Sequence, residues 1–416
     1  MTVWTATAAT GTVLLAAGVL ATALPAPQAA APRPTAAAKS AAPVASGSSE
    51  LDREIVRVQQ HLADVPKDAG DWATLGFDYV QQAKLTVDPS YYPKAAAALR
   101  RSLRLDSRDN FIALAGEASL HAALHDFTGA LHWARRGLRV DPRSAPLLGA
   151  LTDALTQLGR YQAAARAAAR MEAVSPGTPA EARLSYSAEL RGDIPAAVRL
   201  MQRALDDAAA PSDVAFARYY LGQLALSSGH PVTALQQFRR GLGAVPSDAA
   251  SLEGRARAEA ALGRTRAALR DFAAVVARVP QPGYVLEYGA LLSRLGRHSQ
   301  AEREWALFRT EEKLFRSNGV NLDSDAVLFE ADHGDPAVAV RLGRRALRTR
   351  PFLDTYDAYA WALHRAGNDT AALAASNTAL ATGMHNPLFL RHRALIERSL
   401  GMRSLMRRDL AAAGRA

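Results

Sequence analysis

The sequence predicts an all-α protein built as a solenoid of about ten stacked antiparallel helix pairs. Three observations carry this prediction. Apolar residues make up 49% of the chain, and alanine, the strongest helix former, is the commonest residue. Glycine recurs at Gly159, Gly192, Gly229, Gly263, Gly296, Gly334, Gly367 and Gly401, at intervals of 33 to 38 residues. An alanine stands five positions after each of the first seven: Ala164, Ala197, Ala234, Ala268, Ala301, Ala339 and Ala372. Pro142, Pro176, Pro246, Pro280 and Pro351 form a second comb in the same register. Combs of this period that stay in step from residue 142 to residue 401 mark a repeat architecture.

Composition sets outer bounds. A chain of 416 residues exceeds one ordinary domain, but a repeat array grows without limit by adding units. The absence of cysteine excludes disulfides, thiolate metal sites, a cysteine nucleophile and lipid attachment through an N-terminal cysteine. Fifty basic residues against 40 acidic ones give a formal charge of +10, and only Lys39, Lys67, Lys84, Lys94 and Lys313 are lysines.

The elements follow in chain order. No charged side chain precedes Arg33, and Val13 to Leu24 is an uninterrupted run of apolar and small residues with the length of a signal-peptide core. Ala21-Thr22-Ala23 and Ala29-Ala30-Ala31 are candidate cleavage sites, although the basic segment that usually precedes such a core is missing. Taken whole, residues 3–24 are long enough for a membrane tether, which their threonines weaken. Residues 1–24 therefore read as a signal peptide or N-terminal anchor, which places the protein outside the cytoplasm, secreted or membrane-anchored. The alternative is an alanine-rich tail on a cytoplasmic protein. Residues 25–49 hold five prolines with alanine and serine and show no apolar face, so they read as a disordered linker.

Residues 50–416 form the folded body, which carries +8 once Arg33 and Lys39 are set aside. Leu51, Ile55, Val58 and Leu62 make one helical stripe, Ser49 and Asp52 resemble a capping box, and Pro66 ends the helix. Each later unit reads as two amphipathic helices around a tight turn. The glycine ends the first helix in the left-handed conformation, the alanine lets the paired helices approach, and the proline ends the second helix. No unit can bury its apolar face alone, so neighbours share a continuous core. The last helix, Met402 to Ala412, has Met406 where the alanine would stand and reads as a polar cap.

This spacing resembles the tetratricopeptide repeat, whose unit runs W-x2-LG-x2-Y, G-x4-A, then A and P. Trp72, Leu75, Gly76 and Tyr79 match its opening, followed by about seven extra residues before the second helix. Leu158-Gly159-Arg160-Tyr161 with Ala164 and Pro176, Leu221-Gly222 with Gly229, Ala234 and Pro246, and Asp126-Phe127 with Ala130, Ala134 and Pro142 match further stretches. The resemblance covers residues 68–412. It implies a right-handed superhelix, a non-enzymatic protein-protein interaction scaffold, and a peptide or protein segment bound in a concave groove lined by the first helix of each unit. Mapped onto this chain, that groove offers Asp153, Thr156, Tyr186, Glu189, Phe216, Tyr219, Gln223, Glu253 and Arg257. The Lys/Asn/Arg set with which chaperone-binding relatives grip a terminal carboxylate is absent.

Catalytic motifs are missing: the chain has no Walker loop, G-x-S-x-G elbow, dinucleotide fingerprint or H-E-x-x-H. No cofactor and no nucleic-acid partner is expected. Glu117, His121 and His125 fall at i, i+4 and i+8, so all three share a helix face, a spacing that suits zinc or another divalent ion. The plainer reading makes these histidines substitutes for consensus tyrosine and glycine. Arg100-Arg101, Arg135-Arg136, Arg239-Arg240 and Arg344-Arg345 recur on second helices and predict ladders on the convex surface. They support an alternative function, a cell-envelope factor binding anionic polymer through these ladders or metal through the histidines, against a plain solvated face.

Overall fold

The computed structural model describes residues 48–321 and 324–414, and every regular element among them is helical. The signal or anchor of residues 1–24 and the linker up to residue 47 lie outside the described residues. A leading helix, α1 (Ser48–Asp64), precedes ten helix pairs. The first five are α2 (Ala69–Thr86) with α3 (Tyr91–Leu105), α4 (Phe111–Ala123) with α5 (Phe127–Val140), α6 (Ala145–Gln157) with α7 (Tyr161–Val174), α8 (Thr178–Glu189) with α9 (Ile194–Asp206), and α10 (Pro211–Ser227) with α11 (Pro231–Ala244). The second five are α12 (Ala249–Ala261) with α13 (Thr265–Arg278), α14 (Pro282–Arg294) with α15 (His298–Ser317), α16 (Ser324–His333) with α17 (Pro336–Thr349), α18 (Leu353–Arg365) with α19 (Asp369–Ala379), and α20 (Pro387–Ser399) with α21 (Arg403–Gly414). The chain is an all-α helical-repeat solenoid.

Each comb does the work its chemistry allows. The alanines at 164, 197, 234, 268, 301, 339 and 372 are all buried, so a larger side chain would force the paired helices apart. Seven of the eight glycines have φ between +69° and +79°, the left-handed region that side chains avoid. Gly334 departs from the comb: its φ is not positive, and the Glu330 side chain fills the space beside it while accepting from Asp335 N (3.1 Å). The residue after the turn often caps the second helix, as Asp193 does by accepting from Ala196 N (3.0 Å). Pro142, Pro176, Pro246, Pro280 and Pro351 each stand two residues beyond the last residue of a second helix.

The solenoid turns back on itself. The turns inside the second, third and fourth units meet the connections between units seven and eight, eight and nine, and nine and ten. His125 Nδ1 reaches Asn321 O, Arg350 Nε donates to Gln157 Oε1 (2.7 Å), and a side chain at Gly159 would lie 2.7 Å from the Pro351 carbonyl. Gly192 abuts Gly383 in the same manner. Arg350 is the buried keystone, its guanidinium stacked over Phe127 and Phe352, 5.7 and 5.4 Å from the ring centroids. Leu190, Phe352, Leu388 and Phe389, with Tyr161 and Tyr186 at the edge, form an apolar cluster across the same seam.

One junction differs. The second helix of a unit packs closely on the first helix of the next throughout the array, except between α15 and α16. Bulky side chains bridge that gap instead: Phe308 meets Phe329 at 4.7 Å and Trp305 meets His333 at 3.9 Å between centroids. Large side chains at a contact set a larger interaxial distance, and here they prop the junction open.

Candidate functional site

The first helices of successive units face the inside of the curve and carry a polar ladder. Its rungs join residues one unit apart. Gln82 Nε2 donates to Asp52 Oδ1 (2.8 Å), Arg183 grips Asp153 with two bonds (2.9 and 2.7 Å), and Arg257 Nη1 donates to Gln223 Oε1 (3.1 Å). Trp361 Nε1 donates to Asp332 Oδ1 (2.9 Å), and His392 Nδ1 lies 2.8 Å from Asp357 Oδ2. These links satisfy polar groups that the stacked helices would otherwise bury unpaired.

The residues expected in the central groove all lie on first helices, in four separate settings. Asp153 is held by Arg183, and Thr156 is buried with its hydroxyl on the Thr152 carbonyl (2.9 Å). Tyr186 and Glu189 flank the apolar seam where Asp354 approaches; burial, with the Asp354 charge second, pushes Glu189 up to about 7. Phe216 stacks on Tyr220 (4.7 Å between centroids) in a hydrophobic cluster. Gln223 joins the hydroxyl of Tyr219 to Arg257, whose Nε lies 3.5 Å from Glu253 and 3.6 Å from Glu287. Burial and the neighbouring Glu287 hold the Glu253 carboxyl well above the usual range.

Three expectations need correction on this face. Tyr219, Glu253 and Thr156 are buried, so none presents surface to a ligand; Tyr219 packs its ring against Phe238 instead. Gln223, Arg257, Tyr186 and Glu189 are half-buried.

The metal candidate is also corrected. Helix α4 stops at Ala123 and His125 takes φ +58°, so the i+8 position leaves the shared face. His125 stands where other units have the turn glycine, stacks on Phe127 and binds Asn321 O, and burial, with Arg350 nearby, drives its imidazole down to about 4. His121 turns to Asp126 (2.7 Å) and stays 3.8 Å from Glu117. Among the described residues, the group that does bring three ligand-type side chains together is His61, Asp68 and Asp71, at the surface.

The inner face opens at the propped junction. A cavity of about 470 Å³ lies against α14, α16, α18 and α20, with Trp305 of α15 at one wall. Leu286, Glu287, Leu328, Phe329, Asp354, Asp357, Trp361 and Phe389 line it, with Asp325, Asp332, His333, Arg294 and Arg365 toward its rim. Gly289 allows the Trp305 indole to lie against α14: any side chain there would stand 2.7 Å from the indole nitrogen. These residues escaped the sequence reading because the groove mapping stopped at Arg257. The signal was available, since the same inner register continued by one unit reaches Glu287, and continued further reaches Asp357.

Of the paired arginines, Arg100, Arg135, Arg239, Arg240, Arg344 and Arg345 are exposed, whereas Arg101 and Arg136 are half-buried, Arg136 over the Trp133 ring; Arg239 also bonds to Glu259 (3.1 Å).

No family model matches the chain, and no curated protein matches it. Among solved structures it is similar to a thermophilic TPR protein of Thermus thermophilus, at 24% identity over 47% of this chain and 98% of that one, with a TM-score of 0.40. It is similar to PilW, a type IV pilus biogenesis factor, at 19% identity over 50% of this chain and 94% of that one, with a TM-score of 0.39. It is also similar to a chain of the APC/C hetero-tetramer Cut9-Hcn1, at 14% identity over 89% of this chain and 91% of that one, with a TM-score of 0.41. In unit length, left-handed turn glycine, buried alanine and paired helices, this chain resembles a tetratricopeptide-type array and is itself a solenoid of helix pairs.

Proposed function

We propose that the protein is a non-enzymatic interaction scaffold whose inner face takes a segment of a partner protein. The observation that carries the reading is the cavity at the propped junction, where aromatic rings and buried carboxylates converge from four first helices. Aromatic side chains give contact area at low entropic cost, and a few fixed polar groups give orientation. A flat or fully self-satisfied inner face would offer neither. The central stretch around Gln223 and Arg257 extends the same face toward the N-terminal units.

The test is a crosslinking pull-down from the native organism with three proteins: the unaltered chain, Arg257→Ala and Leu328→Gln. Loss of the same partner in either variant, at unchanged helical content by circular dichroism, supports inner-face binding. Equal recovery in all three removes the inner face from consideration. The proposal includes export through residues 1–24. Fractionation with N-terminal sequencing checks it, and an intact Met1 in the cytosol would refute export.

A further inference from the structure

We propose that the cavity at the junction of units seven and eight is a seat for a cation, the guanidinium or ammonium group of an arginine or lysine side chain on the bound segment. This rests on the scaffold reading and narrows it to the chemistry of the occupant.

Three observations point the same way. The first is an unmet acceptor. Asp357 lines the cavity, is 1% exposed and has Oδ2 engaged by His392, while its Oδ1 is buried without a hydrogen-bond partner. A buried carboxylate oxygen is costly to leave unpaired, and a donor brought in from the cavity would satisfy it. The second is the ring system. His392 stacks on Trp361 (4.3 Å between centroids, 12° between planes) and fixes the indole beside Asp357. Trp305 and Phe329 complete the walls, so aromatic rings line the same cavity as the acidic oxygen. Such rings attract a cation through their quadrupole, most strongly where water is excluded. The third is charge. The lining holds five carboxylates against three guanidiniums and two imidazoles, although the chain as a whole carries +10. On a basic protein, an acidic aromatic recess selects a cation by complementarity and leaves the outer surface to repel it elsewhere.

A planar guanidinium suits the seat in particular. It can donate to the free Asp357 oxygen with its edge while its face lies on an indole. A carboxylate-ended ligand would meet like charge there.

The test pans a phage-displayed library of random short peptides against the full chain and against Asp357→Asn. The variant keeps the shape beside His392 and removes the charge, and circular dichroism checks that it folds. Selected peptides should share an arginine or lysine at one fixed position. Replacing that residue by glutamine, or testing the original peptide on Asp357→Asn, should weaken binding about ten- to a hundredfold, the range of a hydrogen bond to a charged group. Trp305→Phe should give a smaller loss. Peptides without a shared basic residue, or equal binding to Asp357→Asn, overturn the cation seat and leave the scaffold reading in place. No selected peptide at all overturns both. A further arm titrates agmatine alone: binding as tight as the best peptide would assign the seat to a small free cation and overturn the partner segment as its occupant.

Discussion

At the residue scale the glycine comb separates two effects that are usually confounded. Gly159 and Gly263 share a left-handed backbone, φ +69° and +70°, but a side chain on Gly263 meets nothing within 4 Å, whereas one on Gly159 meets the Pro351 carbonyl. Gly263→Ala should therefore cost about 1 kcal/mol, the backbone penalty alone. Gly159→Ala should cost about 1–3 kcal/mol more, the penalty for overpacking. Denaturant unfolding of both variants reads the difference, and equal costs would deny the contact between turns. Glu189 gives a pH test. Its folded pKa, about 7, lies above the ordinary carboxylate value because burial and the Asp354 charge disfavour ionisation. Folding is then favoured by this group below about pH 4.5 and loses that contribution as pH rises through 7. Glu189→Gln should flatten the fall in melting temperature between pH 5 and 8; an unchanged slope would place the effect elsewhere. Asp78, raised to about 7 by burial, contributes with the same sign, so the comparison is between wild type and this variant.

At the element scale, the contacts between successive turns and the propped junction decide the shape. Arg350 ties α6 to the α17–α18 connection and sits over two phenylalanine rings. Arg350→Ala removes the donor to Gln157 and the cation beside Asp354 and should cost about 2–4 kcal/mol. Amide exchange should rise together around residues 155–161 and 348–354, far apart in sequence, and stay unchanged in α3. A rise confined to one segment would contradict the seam. Phe308 is fully buried against Phe329, and Phe308→Ala should cost about 3–5 kcal/mol by opening a void at the propped junction. The legibility of these features in the sequence divides along physical lines. Pairing of helices, turn glycines and buried alanines was readable, because each follows from local conformation or from the size of one repeated residue. The contact of Gln157 with Arg350 was not, because neither residue breaks its local pattern and their meeting depends on curvature summed over many units. His125 misled on spacing alone, since the i, i+8 relation holds only while the helix continues, and the turn intervenes.

At the scale of the whole molecule, the array spends most of its inner polar groups on holding itself together. Asp153, Gln223 and Arg257 were identifiable as inner-face residues, yet they serve first as rungs between units. Where aromatic side chains hold α15 from α16, the face opens into a cavity of about 470 Å³. The exposed convex arginines keep the outer surface solvated and positive. The central claim, that partners enter from the inside of the curve, is tested most directly by site-specific photocrosslinking in the native organism. A photoreactive residue at Ser293, on the cavity wall, is compared with one at Arg344, on the convex face. Inner-face binding predicts a discrete partner adduct at 293 and none at 344. An adduct at 344 with none at 293 would contradict it.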